Sequence, residues 1–96
     1  MSDDHTPASG ARFLLERTSE DGGRAEYRAA IFVPDASYAA QARLADDGTV
    51  ELLPTGAPPE LEEMLGMFAK LVARGAAKRR ADGLPPWPAR VLRWRP

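Results

Sequence analysis

No cysteine occurs among the 96 residues, which excludes disulfide stapling, thiolate nucleophiles and Cys-based zinc or iron–sulfur sites. Stability has to come from a packed core. There is one histidine, His5, and it stands in Met1 to Gly10, a stretch of Ser, Asp, Pro and Gly without periodicity. Such a composition predicts a disordered tail. Ser9, Ser19 and Ser37 are therefore left without a base of the kind a serine nucleophile needs. No apolar run approaches the ~20 residues of a membrane span, and the N-terminus lacks the charged-then-apolar order of a signal peptide. A cytoplasmic location follows as the expectation. Lysine is scarce, two against eleven arginines, and together with abundant alanine this hints at a GC-rich bacterial genome.

A nucleotide cradle is missing too. Asp21-Gly22-Gly23 is turn chemistry and lacks the lysine and serine or threonine of a phosphate loop. Carboxylates do occur in pairs, at Asp3-Asp4, Glu20-Asp21, Asp46-Asp47 and Glu62-Glu63. The first lies in the tail, the next two in turns and the last at a helix start, and nothing in the pattern buries any of them to shift a pKa for acid–base work. The expectation is a protein that is not an enzyme, with no catalytic residue, no cofactor, no metal and no evident small-molecule substrate.

What is present organises itself around Pro58 to Ala81. Leu61, Met64, Leu65, Phe68, Leu71 and Val72 recur at the spacing of one helix face. Pro58 and Pro59 with Glu60, Glu62 and Glu63 mark the start, and Lys78, Arg79, Arg80 and Gly83 mark the end. Gly66 and Gly75 each weaken the helix by about 1 kcal/mol relative to alanine, so its last turns are expected to fray.

Before the helix, Ala11 to Thr18 suits a first strand, and Ser19 to Gly23 a hairpin turn. Ala25, Tyr27, Ala29, Ile31 and Val33 then alternate with Arg24, Glu26 and Arg28, the period of a strand with one buried face. Pro34 to Ser37 reads as a tight turn. A third strand follows with Tyr38, Ala40, Ala42 and Leu44 on one face, and Asp46-Asp47-Gly48 turns the chain into Thr49 to Leu53. The fold class expected is α+β: a four-stranded antiparallel meander packed on one long C-terminal helix, followed by a Pro/Trp-rich tail. Residues 1–10 form the tail at the front, and 11–96 a single domain including the C-terminal segment.

The alanine-rich inner face invites close approach by the helix. The opposite face carries Phe32 and Ala30, joined by Leu14 and Leu53 depending on register, and something has to cover it: the Trp segment, a second copy or another partner. Beyond the helix, Leu84 to Pro96 carries Trp87 and Trp94. It suits either a short helix with Trp87, Val91 and Trp94 on one side or an extended edge segment.

Charge is distributed unevenly. Met1 to Glu63 holds thirteen acids against five basic residues, and Met64 to Pro96 holds eight basic residues against one acid. The basic end, with its two tryptophans, suits single-strand nucleic acid through phosphate pairing and base stacking. Against that, basic residues are favoured at any helix C-terminus, and a late tryptophan more often clamps its own core. The expected function is a small non-catalytic protein-interaction module, with a protein partner or a homodimer and no membrane. The alternative is a nucleic-acid-binding accessory protein. Candidate interaction residues are Phe32, Arg28, Arg43, Trp87, Arg90, Arg93 and Trp94.

Overall fold

The computed structural model describes residues 10–53 and 56–95. The expectations placed on Met1 to Ser9, His5 among them, lie outside the described residues. The chain is α+β, with β1 (Ala11–Asp21), β2 (Arg24–Val33), β3 (Ala36–Ala45), β4 (Val50–Leu52), α1 (Pro59–Ala81) and β5 (Arg90–Arg95). All pairings are antiparallel, and the sheet order is β4-β3-β2-β1-β5. The meander of four strands is therefore extended by a fifth, supplied by the C-terminal segment.

β1 runs further than its sequence pattern predicts. A register shift between Arg17 and Ser19 leaves Thr18 as the extra residue, and its hydroxyl donates to the Glu26 carbonyl at 3.2 Å. This bulge lets Ser19, Glu20 and Asp21 stay paired with Glu26, Ala25 and Arg24. The hairpin turn shrinks to Gly22-Gly23, with Gly22 at φ 57°, a left-handed conformation that side chains disfavour.

One sheet face packs on α1. Phe13, Leu15, Ala25, Tyr27, Ala29, Ile31, Ala42 and Leu44 are buried there, against Leu65, Phe68, Ala69, Ala73 and Ala76 of the helix. The Phe13 and Phe68 rings meet at 5.1 Å between centroids. Leu61, Met64 and Val72 pack partly buried against this core, whereas Leu71 is 58% exposed. The buried stripe is thus rotated away from Leu71 toward the alanines. Alanine on both surfaces lets the backbones approach, and that contact fixes the helix orientation more than the placement of large side chains does.

α1 continues through Gly66 and Gly75 to Ala81. Gly83, at φ 78°, donates to the Arg80 carbonyl at 3.1 Å and Leu84 donates to the Arg79 carbonyl at 2.8 Å, the paired bonds of a Schellman stop.

Nor is the C-terminal segment a short helix. The extended alternative holds from Arg90, with β5 paired to β1 along Ala11↔Arg95, Phe13↔Arg93 and Leu15↔Val91. In a strand, side chains two apart share a face. The trio of Trp87, Val91 and Trp94 expected on one helix side is therefore divided between the two sides of the sheet.

Candidate interaction surface

The approach to β5 is held by polar hooks from three elements. The Trp87 indole is completely buried and its Nε1 donates to the Gly22 carbonyl at 3.2 Å. Arg80 Nη2 donates to the same carbonyl at 3.1 Å. Tyr27 Oη donates to the Pro88 carbonyl at 2.7 Å, and Arg17 Nη1 to the Trp87 carbonyl at 2.7 Å. Arg79 Nε donates to the Pro85 carbonyl at 2.8 Å. Burial pushes the Tyr27 phenol up to about 12, because the phenolate would have to ionise away from water. Trp87 is a clamp in the core.

The basic cluster of the C-terminal third is thereby taken apart. Arg79 and Arg80 hold the chain's own turns, with Arg80 Nη1 also 3.1 Å from Asp46 Oδ2. Arg95 sits over the Phe68 ring at 5.8 Å. Arg93 shares the register row of Phe13, on the helix side of the sheet, where it borders a groove of about 340 Å³ between α1 and β5 that Leu71 and Val72 also line. In the β3–β4 turn, Asp47 Oδ1 accepts the Thr49 amide at 2.9 Å. Hydrogen bonding from Thr49 keeps the Asp47 carboxyl below its ordinary pKa. Among the described residues no three His, Cys, Asp or Glu side chains are grouped so as to hold a metal ion, and no helix is long and apolar enough to cross a membrane.

Five of the seven candidates come together on the other face of the sheet. The register sets out three rows across β5, β1, β2 and β3: Trp94–Arg12–Phe32–Ser37, Leu92–Leu14–Ala30–Ala39 and Arg90–Glu16–Arg28–Gln41. Leu53 extends the third row beyond Gln41, to whose carbonyl its amide donates at 3.0 Å. Arg43 lies one row further, between Glu26 and Glu51. Phe32, Arg28, Arg43, Arg90 and Trp94 therefore share one surface; Trp87 and Arg93 do not.

No described element covers this face. Trp94 is 54% exposed and Leu92 38%, an apolar surface rimmed by charge of the kind that marks a contact site. The rim is mixed in sign. Arg28 Nη2 lies 3.4 Å from Glu16 Oε1, and Arg43 reaches Glu26 at 3.7 Å and Glu51 at 3.4 Å. Leu92, Arg12 and Glu16 complete the surface, while Leu14 on the same face is itself buried, and the period-two alternation of Arg90, Leu92 and Trp94 against Val91, Arg93 and Arg95 is the sequence signal for it.

Comparison with protein-family models, with curated proteins and with solved structures finds no match for this chain.

Proposed function

We propose that the protein is a non-catalytic interaction module that binds a protein partner through the open face of its sheet. One observation carries the reading: Trp94 and Phe32 in one row stand beside Leu92, Ala30 and Ala39 in the next, with Trp94 54% and Leu92 38% exposed, on a five-stranded sheet face that no described element covers. Tryptophan and arginine, both present on this face, are residue types that anchor protein interfaces. The pairing of Arg28 and Arg43 with Glu16, Glu26 and Glu51 favours protein over nucleic acid, because a phosphate backbone would meet carboxylates interleaved with each guanidinium.

The test places a photo-reactive benzoylphenylalanine at position 94 in one variant and at position 67 in another, in cells making the full chain. Met67 is 46% exposed on the helix and serves as the control. Protein adducts, to a second copy or to another chain, are expected from position 94 and not from 67. Equal labelling from both, or none from 94, contradicts the reading, and nuclease-sensitive adducts from 94 replace it with nucleic-acid binding.

A further inference from the structure

We infer that the occupant of the open face is a second copy of this chain, docked face to face about a two-fold axis that runs along the strands between β1 and β2. This rests on the reading of that face as a protein-contact surface and names its partner. Such an axis keeps each register row at its own height and lays β1 over the partner copy's β2, and β5 over its β3. In the second row, Leu92, which is exposed, then stands over the other copy's exposed Ala39, a large side chain over a small one, while Leu14 in the same row is already buried within its own chain. In the first row, the Arg12 guanidinium stands over the other copy's Phe32 ring, a cation–π arrangement. In the third, Glu16 stands over the other copy's Arg28, and by symmetry Arg28 over its Glu16. The same surface is complementary to itself in both size and charge, which is what an isologous interface requires.

Area and edges point the same way. The forty strand residues at about 3.3 Å rise and about 4.8 Å strand spacing give a face of roughly 630 Å². A standard interface buries about 800 Å² on each partner, so contact takes up this whole face, charged row included, and its complementarity counts. Pairing through the sheet edges is the competing route to a dimer, and both edges oppose it. β4 has three residues, and β5 carries Arg90, Arg93 and Arg95, short length and charge being devices that discourage edge-to-edge addition.

The test is sedimentation equilibrium on the full chain across micromolar concentrations, with the fold monitored by circular dichroism. Wild type is expected at twice the 10.4 kDa chain mass. Glu16→Arg and Arg28→Glu, each bringing like charges together across the axis, are expected to weaken self-association at least tenfold, and an equimolar mixture of the two to restore the dimer as a heterodimer. Ala39→Arg, at an exposed position, provides a variant that leaves the core untouched, and it too is expected to be monomeric. A wild type that stays at the mass of one chain overturns the inference, while position-94 adducts to a different protein would leave the broader reading standing. Dimers that persist in all three variants, or a mixture of folded monomers that fails to associate, also overturn it.

Discussion

Glu16 and Arg28 stand opposite one another in the β1–β2 register, with Arg28 Nη2 3.4 Å from Glu16 Oε1 on the open face of the sheet. Their side chains are 38% and 69% exposed, so solvent screens the attraction and the pair contributes at most about 1 kcal/mol to the fold. Glu16→Gln is expected to change the unfolding free energy of dilute protein by less than that amount in urea titrations. A loss of several kcal/mol would show that the pair holds the monomer together, and the recognition role assigned to it would fail.

Phe68 packs on Phe13 at 5.1 Å in the centre of the helix–sheet contact. Phe68→Ala is expected to cost about 3–5 kcal/mol, since alanines on both surfaces cannot collapse to fill the cavity. Leu71, 58% exposed, occupies the apolar spacing in sequence yet not the buried stripe, so Leu71→Ala is expected to cost under about 0.5 kcal/mol, like other exposed changes. Met67→Ala should be equally mild. Chemical denaturation that ranked Leu71→Ala beside Phe68→Ala would contradict the helix orientation.

The two tryptophans should behave as opposites. Trp87→Ala removes a fully buried indole and its bond to Gly22, and a loss of about 3–5 kcal/mol is expected. Trp94→Ala, from a site 54% exposed, should leave the monomer's stability within about 1 kcal/mol. Emission separates them as well: the Trp94→Phe variant should retain a blue-shifted spectrum from Trp87 that acrylamide quenches poorly. Efficient quenching in that variant would place Trp87 in water and dismantle the clamp.

Tyr27 makes stability fall at high pH. Burial raises its phenol to about 12 in the folded chain from an ordinary value of 10.0, so the folded state holds the proton more tightly than the unfolded one. The stabilisation is fully present below pH 10 and is lost as pH rises from there toward 12, about 1.4 kcal/mol for each pH unit. Urea melts at pH 9 and pH 11 are expected to show this decline in wild type and a smaller one in Tyr27→Phe. An identical decline in both would assign it to other groups.

The meander and the helix are legible in the sequence because their signals are periodic and punctuated: alternation from Ala25 to Val33, Pro34 at a turn, prolines and acids ahead of Leu61. The rotation of the helix is not, because a hydrophobic stripe is judged by its large residues and the contact is set by Ala69, Ala73 and Ala76. β5 is hidden for a different reason. Six residues from Arg90 to Arg95 fit either period, and long-range contacts fix the extended path: the ladder with β1 and the bonds of Arg17, Tyr27 and Gly22 to the segment before it. Once it is a strand, the interaction candidates sort themselves by parity. Arg90 and Trp94 join Phe32 and Arg28, whereas Arg93 turns to the other side.

The arrangement of side chains across the open face is tested most directly by isotope-filtered nuclear Overhauser spectroscopy on a mixture of labelled and unlabelled full-length chains. Leu92 on β5 and Ala39 on β3 are separated within one chain by β1 and β2, about 14 Å at the usual strand spacing, too far for a methyl–methyl signal. Between two copies they should lie in contact. Interchain signals from Leu92 to Ala39 are the expected result. Interchain signals confined to Leu71 and Val72 in the groove beside the helix, or none from the sheet at concentrations where the protein is dimeric, would contradict the account.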